Sequence, residues 1–490
     1  MRLPDRSRVR RLAGSAATLV LVVSALIVLA SEERGELRST KPTRPAPGFD
    51  PSARNVVVVM TDDQALDTME AMPLTRRLIG EKGTTFANSF VSFPLCCPSR
   101  ATFLTGQYAH NHGVRNNDGP DGGYQALAKR RTLPVWLARA GYRTGFVGKF
   151  LNGYGKGSRA REVPPGWSEW YGLPATAKQR AFDFDLNENG RIVHYGGPDE
   201  SGPYKTEVLA EKAAGFIRRA APRRRPFMLW VATNGPHRDS SLPADAERNP
   251  QPDPRDEGRF EGRRPPASAS LDERDISDKP REVRSLPRLS ARARQDLDRE
   301  YVSQLESLQS IDRLVERLVR RLRDAGELHR TLFIFTTDNG YLRGQHRLTG
   351  KSRPYEEAIR SPLLIRGPDF AAGVRARRLV ANIDLAATIL EAAGADPDIT
   401  LDGRPLQGTG HGRDAVLLEV FDRRHAFTGV RTRRYTYAEY ESGQRELYDL
   451  RKDPEQLDNL ARGNGRASLR RRLADQLAAL RSCAGAKQCG

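Results

Sequence analysis

Three short stretches of the chain are apolar at nearly every position, not at every second or every third to fourth. They are Asn55-Val56-Val57-Val58-Val59-Met60, Phe227-Met228-Leu229-Trp230-Val231-Ala232-Thr233 and Leu332-Phe333-Ile334-Phe335-Thr336-Thr337. Continuous apolarity over so few residues, closed by polar turn residues, predicts strands buried on both faces, as in a parallel sheet covered by helices. The segment from Gly141 to Val147 reads as a further strand, ending in Gly148-Lys149. Val302, Leu305, Leu308, Ile311, Val315, Leu318 and Leu322 recur at helical spacing before Gly326, which predicts a helix packed on the sheet. Ile383 to Gly394 reads as another αβ return. The pattern then changes, with short strands at 429–432, 435–437 and 446–450, a turn at Asp453-Pro454 and a basic helix over about 466–481. The fold class expected is α/β, with a large, mainly parallel sheet flanked by helices and a small C-terminal α+β subdomain.

The regions between these elements divide the chain. Arg2, Arg6, Arg8, Arg10 and Arg11 precede an uncharged apolar run from Leu12 to Ala30, and Val28-Leu29-Ala30 is an acceptable cleavage site. Residues 1–30 are therefore expected to be a signal peptide or, since the run is just long enough to span a bilayer, a signal anchor. Export follows in either case, with a secreted or membrane-anchored product. Residues 31–53 are polar and proline-bearing and are expected to be a disordered spacer. A catalytic domain over 54–408 and an antiparallel-sheet subdomain over 409–490 complete the expected organisation. Within the catalytic domain, Arg238 to Leu289 is rich in proline and charge. It is expected to be a long irregular insertion, suited to form one wall of a substrate entrance.

Charge and cysteine usage narrow the chemistry. The 490 residues carry a formal charge of +19, from 80 basic and 61 acidic side chains. No DNA-reading motif or aromatic-interleaved basic segment accompanies that excess, so nucleic acid is not expected as a partner; sulfated polyanions would be attracted equally well. Only four cysteines occur. Cys483 and Cys489 could close a small disulfide loop in an oxidising compartment, in agreement with export. No His or Cys partners sit at zinc-ligand spacing.

Two strand ends carry acidic and amide side chains. Thr61 is followed by Asp62-Asp63, and Thr337 by Asp338-Asn339-Gly340. Taken alone, the first pair fits a helix N-cap as well as a metal site, and the second fits a turn. In an open parallel sheet, however, ligands gather outside the carboxyl ends of strands. Converging there, three carboxylates and an amide oxygen would suit calcium or magnesium better than zinc.

The remaining cysteines lie in Phe93-Pro94-Leu95-Cys96-Cys97-Pro98-Ser99-Arg100-Ala101-Thr102-Phe103-Leu104-Thr105-Gly106. This stretch, Cys-x-Pro-Ser-Arg followed by Leu-Thr-Gly, resembles the signature of the type I sulfatases of the alkaline-phosphatase superfamily. Gly141 to Asn152 resembles the second sulfatase signature, and Pro236-His237 the family's Pro-His element. The resemblance covers nearly the whole chain after the spacer. It implies that a formylglycine-generating enzyme converts Cys96 to formylglycine, whose hydrate is the nucleophile. It further implies a divalent cation, calcium or else magnesium, held by Asp62, Asp63, Asp338 and Asn339 and touching the oxidised Cys96. Arg100 would stabilise the hydrate, and Lys149, His237 and Lys351 would surround the sulfate, with His346 as a further substrate contact. His237 or Lys351 would protonate the leaving alcohol. Many members have a histidine shortly after the signature lysine; here Leu151-Asn152 stands in its place. That departure and the Cys-Cys pair resemble the N-acetylglucosamine-6-sulfatase branch and imply a 6-sulfated N-acetylglucosamine of a glycan as substrate. Two alternatives stay open from the residues: a phosphate or phosphonate ester hydrolase of the same superfamily, and a non-catalytic exported binder of sulfated glycans.

Overall fold

The computed structural model describes residues 53–490 except 176–179, 198–201, 224, 240–247, 409, 411, 423–424 and 464. The expected signal or anchor, and all of the expected spacer but Ala53, lie outside the described residues. Among the described residues no helix is long and apolar enough to cross a membrane.

The fully apolar stretches do form the centre of a sheet. In chain order the elements that frame it are β1 (Asn55–Thr61), β2 (Thr84–Phe90), α1 (Cys96–Thr105), β3 (Arg143–Gly148), β4 (Glu169–Gly172), β5 (Phe184–Glu188), β6 (Arg191–Tyr195), α2 (Lys205–Ala220), β7 (Phe227–Ala232), α3 (Ala291–Asp324), β8 (Thr331–Thr337), β9 (Leu363–Arg366), β10 (Val374–Ala381) and α4 (Asp384–Ala393). The ten strands are ordered β10-β2-β9-β8-β1-β7-β3-β4-β5-β6. The run β8-β1-β7-β3-β4 is parallel; β9 and the outer strands β5 and β6 pair antiparallel with their neighbours.

The valines of β1 explain why its pattern lacks alternation. Val56, Val58 and Met60 face a core shared with Phe103 and Leu104 of α1 and Leu385 and Ile389 of α4. Val57 and Val59 face the opposite core, filled by Leu209, Phe216 and Ile217 of α2 and Leu308, Ile311, Val315 and Leu318 of α3. Both faces of the strand are dry, so both parities must be apolar. The Phe103 and Trp230 rings, 4.9 Å apart, seat α1 on the middle of the sheet. Helix α3 begins about three turns before the apolar stripe that starts at Val302, because the Ser290 side chain accepts a bond from the Ala293 amide and caps it.

A second, four-stranded antiparallel sheet follows: β11 (Ala415–Val420), β12 (Phe427–Thr432), β13 (Tyr435–Tyr440) and β14 (Arg445–Asp449), with α5 (Ala467–Leu480) against it. Leu469, Leu473, Leu477 and Leu480 of α5 share its core with Val416, Leu418 and Tyr437, and with Phe90 and Leu379 from the large sheet. Cys483 and Cys489 are disulfide-bonded beyond α5.

Gly148 shows how closely the sheet constrains the chain. It sits at φ +115°, and a Cβ there would lie 1.9 Å from the Ala232 carbonyl oxygen of β7. Gly141 also has positive φ, +88°, but open space where its Cβ would be. Gly148→Ala should therefore cost about 2–4 kcal/mol, and Gly141→Ala about 1 kcal/mol. Denaturant midpoints of the two variants measure the difference; equal losses would mean that the contact with β7 is not what demands glycine.

Candidate active site

Register places the chemistry. Thr61 of β1 pairs with Thr337 of β8, Met60 with Ala232 of β7, and Ala232 in turn with Gly148 of β3. Four adjacent parallel strands thus end at one level. The residues just past them are Asp62-Asp63, Asp338-Asn339, the turn leading to His237, and Lys149. Backbone bonds lock these exits together: the Asp338 amide donates to the Thr61 carbonyl (3.1 Å), the Asp62 amide to Gly235 (3.2 Å) and the Lys149 amide to Ala232 (2.8 Å).

Cys96 is the first residue of α1, and all ten residues of that helix are buried. One helical turn on, Arg100 lies on the same face. Its Nε donates to Asp338 Oδ2 at 2.9 Å, its Nη2 is 3.2 Å from Asp62 Oδ2, and its Nη1 donates to the carbonyls of Lys149 and Phe150. The Ser99 hydroxyl donates to the Asp338 carbonyl. The motif is therefore tied to two strand ends by its own side chains. Lys351 arrives by another route, on a short hairpin pairing Leu342–Arg343 with Thr349–Gly350. The Ser352 amide donates to the Pro94 carbonyl at 3.0 Å and pins that hairpin beside the motif.

Around the Cys96 sulfur the charges are dense and dry. Lys351 Nζ lies 2.9 Å from Sγ and bonds Asp63; Lys149 Nζ lies 4.0 Å from Sγ and bonds Asp62. The Asp62 Oδ1 is 3.5 Å from the sulfur. Burial, then the Asp62 charge, pushes the Cys96 thiol far above its ordinary range, against the opposing pull of Lys149 and Lys351. An unmodified Cys96 is a neutral thiol and a poor nucleophile. Burial would raise the Asp62 carboxyl as well, but Lys149, His237 and Arg100 outweigh it and hold it ionised. Asp338 is pushed up to about 6, by burial and the neighbouring Asp62, with Arg100 opposing.

These residues fit a divalent cation. Ligand atoms of Asp62, Asp63, Cys96 and His237 all lie within 4.8 Å of one another. The Asn339 Nδ2 donates to Asp63 Oδ1 at 2.7 Å, while its Oδ1 is buried with no hydrogen-bond partner. A buried amide oxygen without a donor beside crowded carboxylates is the donor set a hard cation takes. The Cys and His come to this cluster from distant segments, so linear spacing gave no sign of them.

Above Cys96 opens a pocket of about 730 Å³. Lys149 and His237 line its floor with Cys96, and Asn152 and Lys205 line its walls. The His237 Nδ1–H is engaged by the Arg238 carbonyl, and its Nε2 lies 3.5 Å from Asp63 Oδ2. Arg238, Asp239, Pro250 and Gln251 of the irregular insertion contribute to the walls, as expected for that segment. His346 does not join this group. It is fully buried, with Nδ1 bonded to Glu273 at 2.6 Å and its ring stacked on Tyr355 at 4.0 Å. Burial, and then the Lys279 charge, pushes it down to about 3, so it is a neutral ring that cannot balance a sulfate. The expectation that His346 binds substrate is corrected accordingly. Asn117 and Asn152 went unnoticed in the sequence: the first accepts from the Cys97 amide at 2.9 Å, and the second donates its own amide to Cys97 Sγ at 3.1 Å.

Carboxylates, lysines and a helix-borne cysteine, grouped at the carboxyl ends of a mixed α/β sheet, define a site for hydrolysing esters of an oxyanion. The sulfatase family model matches residues 54–395, and a model described as N-sulphoglucosamine sulphohydrolase, C-terminal, matches residues 344–483. An arylsulfatase of Volvox carteri is 34% identical over 88% of this chain and 75% of its own length. The human N-acetylglucosamine-6-sulfatase is 36% identical over 72% of this chain, but that match takes in only 63% of the human protein. Among solved structures, BT4656 in complex with its substrate D-glucosamine-2-N,6-O-disulfate superposes with a TM-score of 0.73 at 23% identity, covering 89% of this chain and 98% of that one. The chain belongs to the sulfatase family, the sulfuric ester hydrolases. Its members generally use a formylglycine and a divalent cation.

The cation reading makes a direct prediction. Even second-layer partners of a metal ligand are worth about 10–100-fold in affinity, so losing a ligand should cost at least that. Calcium titration of the metal-stripped full chain, followed by elemental analysis, should show one tightly bound ion in the wild type. Asp63→Asn and Asn339→Leu should both weaken it. Unchanged affinity in both variants would return the Asp-Asp and Asp-Asn pairs to capping and turn roles.

Proposed function

We propose that this chain is an exported, calcium-dependent sulfatase that removes 6-O-sulfate from N-acetylglucosamine units of glycans. The observation that carries the reading is the setting of Cys96. It lies at the floor of the pocket, flanked by two lysines, in surroundings that suppress its thiolate. The site is therefore poorly suited to a thiol nucleophile and well suited to a neutral, modified residue. Because Cys96 is buried, oxidation by a formylglycine-generating enzyme must act before the fold closes. Calcium is favoured over magnesium because three carboxylates and an amide offer several protein oxygens, whereas magnesium keeps more of its water. The N-acetylglucosamine-6-sulfatase relatives, together with Cys96-Cys97 and the absence of a histidine at 151–152, support the substrate. Residues 54–408 form the catalytic domain and 409–490 the C-terminal subdomain in this reading, with residues 1–30 directing export.

Oxidised to formylglycine, position 96 supplies a hydrated aldehyde whose two hydroxyls permit attack on sulfur and then release of sulfate. A cation held by Asp62, Asp63, Asp338 and Asn339 supplies Lewis-acid polarisation of the sulfate. The other residues bind and move protons. Arg100, fixed by Asp338, orients position 96. Lys149 and Lys351 balance the charge that grows on the sulfate oxygens during transfer, an electrostatic contribution that pre-set donors make without reorganising. His237, which lines the pocket, would be the donor to the leaving alcohol in its doubly protonated form: Nδ1–H is held by the Arg238 carbonyl, and Nε2–H, beside Asp63 Oδ2, is the proton passed to the alcohol.

Mass spectrometry of the peptide spanning Cys96 should find formylglycine. Cys96→Ala should abolish sulfate release while Cys97→Ala retains appreciable activity. His237→Ala should slow alkyl sulfates such as 6-sulfated N-acetylglucosamine by about 10²–10⁴-fold. It should slow activated aryl sulfates far less, since their leaving groups need little protonation. Sulfate release from aryl sulfates but from no 6-sulfated glucosamine would overturn the glycan assignment and leave the sulfatase chemistry standing.

A further inference from the structure

Glu300 has no part in the reaction described above, yet it is a fully buried carboxylate one residue removed from it. It lies in the first third of α3, and its two oxygens take Nε and Nη2 of Arg238, both at 2.5 Å. Arg238 is the residue whose carbonyl engages His237 Nδ1–H. Tyr341, two residues past Asn339, bonds the same carboxylate; burial and the Glu300 charge push its hydroxyl far above the ordinary range. The other end of the 234–238 turn rests on the same helix. A Cβ at Gly235 would lie 3.0 Å from Ile311 Cδ1 and 3.9 Å from Ser307 Oγ, and the His237 amide donates to the Asn234 carbonyl at 2.9 Å. Glu300, Ser307 and Ile311 are seven and then four residues apart, so they share one face of α3. That face meets the turn on both sides of His237. An imidazole can rotate about two bonds, and the hydrogen bond at one ring nitrogen decides what the other presents.

We propose that Glu300 is a positioning residue for His237. Through its two bonds to Arg238 it fixes the carbonyl that holds Nδ1–H, and so keeps Nε2 on the side of the pocket from which the alcohol leaves. This rests on the sulfatase reading, in which His237 gives up the Nε2 proton. A buried ion pair adds little net stability over apolar side chains of similar size. What a two-pronged pair supplies is an orientation. The effect is confined to the step that needs His237, because Lys149 and Lys351 are held by their own bonds to Asp62 and Asp63.

Glu300→Gln keeps the size of the side chain and breaks the charged pair. In the full chain carrying formylglycine it should lower kcat for 6-sulfated N-acetylglucosamine by about 10–100-fold, with KM little changed. An activated aryl sulfate should be slowed far less. In a His237→Ala background the same substitution should change turnover by no more than about twofold, because the group it acts through is already gone. Glu300→Leu/Arg238→Met removes both charges and orphans neither, so it should fold where a single variant does not, and it should show the same loss and the same lack of additivity. Equal slowing of the sugar and the aryl sulfate, or a loss that adds in full to that of His237→Ala, overturns the proposal. Nitrogen-15 spectra of the histidine-labelled full chain, recorded in mildly alkaline solution, keep the test independent of turnover. The His237 ring signals, identified by their disappearance in His237→Ala, should report a single tautomer protonated at Nδ1 in the wild type and a mixture in Glu300→Gln. Unchanged ring signals in the variant would overturn the proposal. Should the wild type release sulfate from no ester at all, the proposed activity fails, and these spectra still decide whether Glu300 holds the ring.

Discussion

Three carboxylates in a water-poor floor, each balanced by a cation delivered from elsewhere in the chain, are the constraint around which this protein is built. Asp62 and Asp338 have no exposure and Asp63 almost none. Left to themselves, such groups would neutralise or unfold their surroundings. Arg100 answers from helix α1, Lys149 from the end of β3 and Lys351 from the residue that follows the short hairpin, positions as far as 288 residues apart along the chain. None of these pairings is local. Each depends on the register of four central strands, so the register is held from both sides, by side chains in the two cores and by the backbone bonds that join the strand exits. Removing one cation would leave a buried charge uncompensated, which is far costlier than the pair's net contribution to stability. The same crowding that makes the floor expensive makes it receptive to a divalent cation.

The centre of the fold was legible because burial on both faces leaves an unambiguous trace. Strands β1, β7 and β8 appear within a residue of their sequence limits. The strands that escaped notice are those on which the physics acts differently. β2, Thr84-Thr85-Phe86-Ala87-Asn88-Ser89-Phe90, mixes polar and apolar residues, and β10 carries Arg375, Arg377 and Arg378 at the sheet's edge, where solvent accepts them. β4 has only four residues, and the antiparallel additions β5 and β6 are short, with polar positions that look like loop sequence. The small C-terminal sheet was legible despite these omissions because the later change to alternating strands is itself a signature of a one-sided sheet.

The site was legible in a different degree for each residue. Asp62-Asp63 and Asp338-Asn339 could be paired from sequence alone because both follow buried strands, and a parallel sheet collects such ends. Lys351 and His237 needed the family resemblance, since nothing in the exit of a short hairpin or in a Pro-His loop announces where it points. His346 failed by the same route: a histidine five residues from a functional lysine is near it in sequence, yet its ring lies in a buried nest, bonded to Glu273 and stacked on Tyr355. Asn117 and Asn152 were invisible because one acts through an accepting amide oxygen and the other through its backbone, and neither use has a sequence signature. Both hold Cys97, so the second cysteine of the pair serves as an anchor for the loops beside its neighbour.

The buried nest around His346 gives the small domain a part in the chemistry of the large one. Tyr355, stacked on His346, donates its hydroxyl to Glu446 of β14 at 2.8 Å, and Tyr448 donates to the same carboxylate at 2.6 Å. Glu273, which accepts from His346, also pairs with Lys279 at 3.2 Å, and the Lys279 ammonium reaches the carbonyls of Gln456 and Leu457. These bonds join three segments: the hairpin that ends in Lys351, the irregular insertion, and the C-terminal sheet. Lys351 has a long flexible stem, and a side chain of that kind keeps its ammonium within reach of one sulfur atom only if its backbone is immobile. The immobility comes from this buried network, in which the Glu273 and Glu446 carboxylates are capped by donors. The C-terminal sheet is thus the abutment for the hairpin that carries Lys351, and His346 serves as a flat, uncharged spacer between the two.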